Sequence, residues 1–223
     1  GDELIDVDQI PTEDQIRATN LQALICLIKQ MNMTPINFGI ARDNQKDIEN
    51  KLQSVLASEI DLLVTTGGVS VGKYDFMQDA LYSIGAEKQF WKVNIKPGKP
   101  LLFSIYKNSK KEIPIINLPG NPLSSFINFK LLVEPAIFLS YGVNQSNSFM
   151  SKLTHNVRKK DERLHFILAN SEFDFLNKCF TVKSAGFQSS GSMLTMSNSD
   201  CVFIIPEELK ELKAGEWVKC IKI

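Results

Sequence analysis

The sequence predicts an α/β protein with a mostly parallel sheet and helices on both faces, followed by a small all-β C-terminal domain. Over roughly the first 140 residues, segments with helical periodicity alternate with short apolar runs, which is typical of a sheet flanked by helices. Beyond Gly142 the helical periodicity largely disappears, and short runs divided by turns indicate strands, a pattern compatible with a barrel. We therefore predict an α/β domain over residues 1–143 and an all-β domain over residues 150–223.

The individual elements follow from the spacing of apolar residues. This spacing predicts four helices, over residues 15–31, from Asn44 onward, from Tyr74 to Gly85 and from Asn121 to Tyr141. Short apolar runs predict strands in the first domain at residues 36–40, 61–66, 90–95, 101–106 and 113–117. Strands in the second domain are predicted at residues 164–169, 179–182, 201–205 and 217–223. Ligands of α/β sheets bind outside the carboxyl ends of the strands, so we expect the loops that follow the strands to form the site.

Composition excludes several classes of protein. The 223 residues contain 25 Lys and Arg against 25 Asp and Glu, and a formal charge of zero argues against a dedicated nucleic-acid binder. The four cysteines have no zinc-site spacing, so we expect reduced thiols in a cytoplasmic protein. No apolar run approaches the eighteen or so residues of a membrane span, which predicts no membrane partner. The basic cluster Arg158-Lys159-Lys160 is interpreted as a solvent-exposed turn.

A glycine-rich loop follows the predicted strand at residues 61–66. Glycines let backbone amides approach an anion closely, so this loop is a candidate oxyanion site. Its spacing matches neither a P-loop nor a dinucleotide fingerprint. Asp75 follows the loop at the start of the next helix, where it has a structural role as a cap and a possible chemical role; the sequence leaves both open. The candidate residues are Thr66, Gly67, Gly68, Val69, Ser70, Gly72 and Asp75.

Two proline-containing loops follow later strands. Lys96-Pro97-Gly98-Lys99-Pro100 holds two lysines between prolines and has no core-forming residue to explain it. Pro119-Gly120-Asn121-Pro122 leads into a helix whose first N–H groups are available to an anion, with Ser124 in its first turn. An ordinary loop before a proline-led helix explains the second segment as well, but both segments in one chain favour oxyanion binding.

These motifs resemble those of the molybdopterin molybdenumtransferase family, whose core domain also occurs in gephyrin and in molybdopterin adenylyltransferases. The resemblance extends over nearly the whole chain. The matching stretches are residues 1–4, 65–75, 90–93, 96–100 and 118–124, with a weaker match at residues 188–190.

The resemblance implies a reaction in which molybdate is inserted into adenylylated molybdopterin, releasing AMP and molybdenum cofactor with the help of Mg²⁺. It implies that Thr66 to Ser70 line the pterin-phosphate side and that Asp75 is catalytic. Asp43 and Asp75 become candidate metal ligands. The residues implied at the molybdate are Lys96, Pro97, Ser124, Arg163 and Ser190.

The resemblance also implies a larger assembly. Family members carry further N-terminal domains and form homodimers in which a partner's domain completes the site, so we expect this chain to be a fragment with weak activity of its own. Leu168 stands where a second arginine is common, which leaves the role of Arg163 open. Two alternative functions remain: a molybdopterin adenylyltransferase-like enzyme, and a gephyrin-like scaffold that binds peptides.

Overall fold

The computed structural model describes residues 1–69, 76–144, 146–186 and 193–223. The chain forms two compact units that are not contiguous in sequence. The first contains Gly1–Val93 and Pro100–Phe126, and the second contains Asn94–Lys99 and Ile127–Ile223. The domain boundaries predicted from the sequence stay a prediction; the segments 94–99 and 127–143 belong to the second compact unit.

The helices and strands are numbered here in chain order. The elements before residue 143 are β1 (Leu4–Ile5), β2 (Ile16–Arg17), α1 (Thr19–Gln30), α2 (Gln45–Leu56), β3 (Leu63–Thr66), α3 (Phe76–Ser83), β4 (Glu87–Trp91), β5 (Ile95–Lys96), β6 (Leu102–Lys107), β7 (Glu112–Leu118) and α4 (Pro122–Ser140). Those after residue 145 are β8 (Ser148–Leu153), β9 (Val157–Arg158), β10 (Leu164–Asp174), β11 (Cys179–Ser184), α5 (Met193–Ser197), β12 (Cys201–Ile205), β13 (Glu211–Leu212) and β14 (Trp217–Lys222).

The first unit contains a four-stranded sheet in the order β3-β7-β6-β4. Strands β3 and β7 run parallel, whereas β6 is antiparallel to both β7 and β4. The α/β class is confirmed, but among these four strands the sheet is mixed rather than mostly parallel. The reason is local: β6 and β7 are joined by a tight turn in which the amides of Lys110 and Lys111 donate to Asn108 Oδ1, and so short a connection permits only an antiparallel pair.

Helices α2 and α3 form one hydrophobic core with this sheet. Four buried side chains of α2 pack with those of α3 and with the sheet residues Leu63, Leu102 and Ile115. Asn44 caps α2, because its side-chain oxygen accepts a hydrogen bond from the Asp47 amide at 2.9 Å. The helix predicted near Asn44 is therefore present.

Two expectations for the N-terminal segment are wrong. The first helix begins at Thr19 rather than residue 15, because Ile16 and Arg17 pair with β1 instead. Residues 36–40 do not form a strand. Gly39 has a φ of 74° and its amide donates to Asn37 Oδ1, a local turn that prevents extension, although Phe38 still packs against the core.

The second unit contains a closed barrel. Each strand of the ring β11-β8-β14-β12-β10 pairs with the next, and β10 pairs back with β11. The barrel expectation is thus confirmed for this part of the chain. Strand β5 adds to β10 in parallel, with Lys96 opposite His165. The interior includes Phe203, Ile205, Val182 and Cys220.

Helix α4 is continuous over 19 residues and includes a π-helical segment, Phe129–Val133. By length and composition alone it could cross a membrane, which corrects the expectation that no segment approaches that length. The length of this apolar helix is not evident from the sequence, because Lys130 and Glu134 interrupt its apolar residues. These two side chains form an ion pair with Nζ 2.8 Å from Oε2, and they are 15% and 11% exposed. A core helix of a soluble protein meets the same two criteria, so the predicted lack of a membrane partner stays a prediction.

Candidate functional site

The first unit brings the glycine loop after β3 beside the Pro-Gly loop after β7. The Gly67 amide donates to the Leu118 carbonyl at 3.0 Å, and Thr66 lies opposite Leu118 in the parallel pair. Gly67 and Gly68 have φ values of 84° and 66°, a conformation that glycine adopts without strain. Two loops that the sequence separates by about fifty residues therefore meet at the carboxyl edge of this sheet, as expected for an α/β ligand site.

Two residues that the sequence analysis missed support these loops. Asn117 is fully buried, and its Nδ2 donates to Thr65 Oγ1 at 2.5 Å across the β3–β7 pair. Asn20, on α1, donates from its Nδ2 to the Gly120 carbonyl at 2.7 Å. Asn117 thus stabilises the end of β3, and Asn20 stabilises the loop after β7. No local motif indicates either contact, because the partners are 52 and 100 residues apart in sequence.

Several predicted residues of this unit are buried or have partners within the protein. Val69 is 1% exposed and packs into the core, so its side chain cannot contact a ligand, while its carbonyl accepts from Trp91 Nε1. Asn121 precedes α4, and its Oδ1 lies 3.5 Å from the Ser124 amide. The sequence placed Ser124 in the first helical turn, and there its side chain is buried. Pro119 is buried and Pro122 begins the helix.

Residues 96–99 of the lysine-proline loop belong to the second unit, and Pro100 belongs to the first. Lys96 ends β5, and the Lys96–Pro97 peptide bond is cis. Gly98 is buried with a φ of 107°, and its carbonyl accepts a hydrogen bond from Asn128 Nδ2 at 2.9 Å. A Cβ at this position would overlap the Asn128 amide, which explains why the loop requires glycine. Lys99 is exposed and Pro100 is half-buried.

Lys96 and Arg163 meet at one carboxylate, that of Asp161. Arg163 binds it with a fork, Nε to Oδ1 at 3.1 Å and Nη2 to Oδ2 at 2.9 Å, and its amide also donates to Oδ1. Lys96 Nζ lies 3.3 Å from Oδ2. His165 Nε2 lies 2.8 Å from Oδ1. Asp161 and His165 are not predicted from the sequence, although two acidic residues, Asp161 and Glu162, lie between the basic residues Lys160 and Arg163.

Neighbouring charges and burial shift the pKa values of Asp161 and His165. The Arg163 guanidinium, followed by His165 and Lys96, holds the pKa of the Asp161 carboxyl well below its usual range, although partial burial acts in the opposite direction. Burial lowers the pKa of His165, and the contact with Asp161 offsets part of that effect. At neutral pH the cluster therefore contains an ionised Asp161, a neutral His165 and two cations.

Lys159 corrects the interpretation of its basic cluster as a solvent-exposed turn. The residue is 6% exposed, and its Nζ donates to the carbonyls of Arg163, Pro206 and Glu207. A buried ammonium requires such partners, and three carbonyls use all three of its donors. Lys159 consequently supports the Arg163 backbone rather than contacting solvent.

Asp43 contacts the N-terminal stretch of the first unit. The Asp2 amide donates to Asp43 Oδ2 at 3.2 Å, and the Asp43 amide donates to Asp2 Oδ1 at 3.3 Å. Exposed carboxylates suit Mg²⁺, which often uses one or two of them together with substrate phosphates. Within the described ranges no group of three or more His, Cys, Asp or Glu residues could hold a metal ion.

Four predicted residues, Ser70, Gly72, Asp75 and Ser190, lie outside the described residues. The structure thus brings Thr66 to Gly68 together with the Leu118–Gly120 loop, and Lys96 together with Arg163. Leu168, at the position of the common second arginine, is buried in the barrel wall.

Comparisons with known families identify the class to which this fold belongs. A family described as a probable molybdopterin binding domain matches residues 1–138, and one described as the MoeA C-terminal region (domain IV) matches residues 151–223. The chain therefore belongs to the molybdopterin-binding domain family, and the resemblance drawn from its motifs is confirmed.

Individual relatives agree with this assignment. Molybdopterin molybdenumtransferase of Haemophilus influenzae is 34% identical over 223 residues, which cover 98% of this chain and 53% of that protein. Gephyrin of Dictyostelium discoideum is 30% identical over 257 residues, covering 100% of this chain and 35% of that protein. The crystal structure of a molybdopterin biosynthesis MoeA protein from Pyrococcus horikoshii shares the fold, with a TM-score of 0.80, 24% identity and coverage of 99% and 52%. The chain spans about half the length of the molybdenumtransferases that it matches.

Proposed function

We propose that this chain is the C-terminal part of a molybdopterin molybdenumtransferase, which inserts molybdenum into adenylylated molybdopterin and releases AMP. The observation that carries the proposal is the meeting of Lys96 and Arg163, from distant parts of the sequence, at one partly exposed carboxylate. Lysine and arginine side chains arranged in this way bind oxyanions through charge-assisted hydrogen bonds. Molybdate, a tetrahedral dianion, is the oxyanion substrate of this reaction.

The reaction divides between the chain's residues as follows. The Thr66–Gly68 loop lines the pterin-phosphate side of the site, as glycine turns at anion sites do. Lys96 binds molybdate, and Arg163, held on Asp161, adds positive charge beside Lys96. Ser124 is a further candidate ligand of molybdate. Water attacks a phosphorus atom of the phosphoanhydride, the bridging P–O bond breaks, and AMP and the pterin phosphate separate with release of a proton. This step depends chiefly on positioning and charge neutralisation.

Two acidic residues complete the proposal. Asp75 acts either as the base for the attacking oxygen or as a ligand of Mg²⁺, and Asp43 is the second candidate ligand. Mg²⁺, when bound, supplies charge stabilisation at the transferred phosphate. We also expect a homodimer and a cytoplasmic location for the complete protein.

The first prediction tests this function in the complete protein, of which the chain is a part. Lys96→Ala removes a cation from the molybdate, so we expect AMP release from adenylylated molybdopterin in the presence of molybdate to fall at least about tenfold, the effect of losing one charge-assisted contact. The matched control is Lys110→Ala, which removes an exposed turn lysine and should leave the rate within twofold.

The Lys96→Ala result, together with a test of peptide binding, also distinguishes the enzyme from the scaffold. Full activity of Lys96→Ala would contradict the proposed role of the lysine loop. A protein that binds peptides but neither molybdate nor adenylylated molybdopterin, with binding indifferent to Lys96→Ala, would instead be a scaffold.

A further inference from the structure

The two cations at Asp161 are held with unequal strength. Arg163 lies two residues from Asp161, contacts both carboxylate oxygens through its guanidinium and adds a backbone hydrogen bond. Lys96 comes from a separate strand, makes one contact at 3.3 Å and is 48% exposed along its side chain. A bidentate arginine is the more rigid partner of a carboxylate, whereas a single exposed lysine contact exchanges at little cost.

Asp161 already provides what an oxyanion would provide to these cations. Its two oxygens accept from the Arg163 fork, from Lys96 and from the Arg163 amide, and one of them also contacts His165. An incoming anion thus meets a lysine that is already paired, beside a negative charge that repels it.

Two other basic side chains near Lys96 cannot take its place. Lys159 uses its three donors on backbone carbonyls, and His165 is uncharged at neutral pH because burial lowers its pKa. Release of Lys96 from Asp161 is therefore the change that makes a mobile positive charge available to a ligand.

We propose that Asp161 is an internal competitor for Lys96: in the ligand-free chain it holds the lysine, and a bound tetrahedral dianion takes Lys96 from it while Arg163 stays on Asp161. Asp161 thereby sets the affinity of this site for anions, and a weakly charged anion does not displace Asp161 from Lys96. The inference rests on the proposed function, since it names how the molybdate site of that function is regulated.

Molybdate titration of the 223-residue chain, followed by NMR, tests the proposal and can measure weak binding. Asp161→Asn keeps the shape of the side chain but removes its charge, so we expect molybdate to bind at least threefold more tightly than to the unchanged chain. Lys96→Ala should weaken binding. In the Lys96→Ala background, Asp161→Asn should improve molybdate binding by less than twofold, because the lysine for which Asp161 competes is then absent.

The control is Asp61→Asn, which makes the same change of charge at the exposed ion pair with Lys111 and should alter molybdate affinity by less than twofold. A second measurement does not depend on the Asp161 variant. On addition of molybdate, the ¹³Cε resonance of Lys96 should shift and saturate, while the ¹⁵Nε resonance of Arg163 should stay in place.

Weaker or unchanged binding in Asp161→Asn would overturn the competitor role, as would a shift of Arg163 without one of Lys96. If molybdate binds and Lys96→Ala weakens it, the proposed function stands even when this inference fails. If neither the unchanged chain nor Asp161→Asn saturates with molybdate, this inference is overturned, and the proposed function is decided by the AMP release of the complete protein.

Discussion

At the scale of single residues, Gly98 combines a restricted backbone conformation with close packing. Its φ of 107° strains any residue with a side chain, and a Cβ there would also overlap Asn128. Gly215, in the same unit, has a φ of 87° but no atom within 4 Å of an added Cβ. The two glycines therefore separate the cost of the backbone conformation from the cost of overlap.

We expect Gly98→Ala to lower the free energy of unfolding by more than Gly215→Ala. The control should cost about 1–2 kcal/mol, the price of a left-handed conformation, and Gly98→Ala should cost at least about 1 kcal/mol beyond that. Urea unfolding followed by circular dichroism measures both. Equal effects would mean that Asn128 moves aside freely.

His165 gives the second unit a dependence on pH. Its folded-state pKa is lowered by burial, so the unfolded chain takes up the proton at a higher pH than the folded chain does. The stability that it contributes is present above about pH 6.5, the ordinary histidine value, and is lost as the pH falls toward the folded-state pKa. Asp161 acts in a lower window, because its depressed pKa preserves its contribution until the pH falls below about 3.9.

We therefore expect the urea midpoint to rise between pH 5 and pH 7, and the rise to be smaller in His165→Gln. The matched control is His155→Gln, at the other histidine of this unit, whose ring contacts Ser184. A rise of the same size in His165→Gln would show that another group titrates.

The residues of the candidate site differ in how well the sequence predicts them. Glycine and proline motifs are local, so Gly67, Gly98 and Gly120 were found without a fold. Asp161 contacts Lys96 across 65 residues, and Asn117 contacts Thr65 across 52. Such pairs arise only when the chain folds, and neither Asp161 nor Asn117 belongs to a motif with its partner.

At the scale of elements, the ion pair within α4 is the feature with the clearest energetic consequence. Lys130 and Glu134 lie one turn apart and are both largely buried. Lys130→Ala would leave the Glu134 charge in a poorly solvated position, so we expect the free energy of unfolding to fall by about 3 kcal/mol. The double variant Lys130→Met with Glu134→Leu should recover much of this loss, as measured by thermal or urea unfolding.

An exposed pair provides the comparison. Asp61, paired with Lys111 at 3.1 Å, is almost fully exposed, and Asp61→Ala should cost less than about 0.5 kcal/mol. A similar cost for Asp61→Ala and Lys130→Ala would contradict the importance given to burial in α4.

Helices and strands with a long pattern of apolar residues were predicted better than short ones. Helix α2 carries four apolar residues at helical spacing after an Asn cap, and β12 occupies the predicted residues 201–205. Strand β5 has two residues and was merged with β4, because nothing local distinguishes it. The mixed sheet was missed because the direction of β6 follows from the turn before β7, which alternation of elements does not reveal.

At the scale of the whole molecule, the two compact units are interleaved in the sequence. Residues 94–99 interrupt the first unit and belong to the second, where β5 pairs with β10. The sequence predicted a single division between residues 143 and 150, because helical periodicity largely disappears beyond Gly142. Periodicity cannot reveal this interleaving, because the segment 94–99 is too short to show a helical or strand pattern.

Strand β5 has a consequence for synthesis on the ribosome. The segment carrying Lys96 is translated 65 residues ahead of Asp161, so the nascent chain exposes it before β10 exists to pair with it. Neither unit corresponds to one uninterrupted stretch of the sequence. Strand β10 must therefore be synthesised before β5 can pair with it.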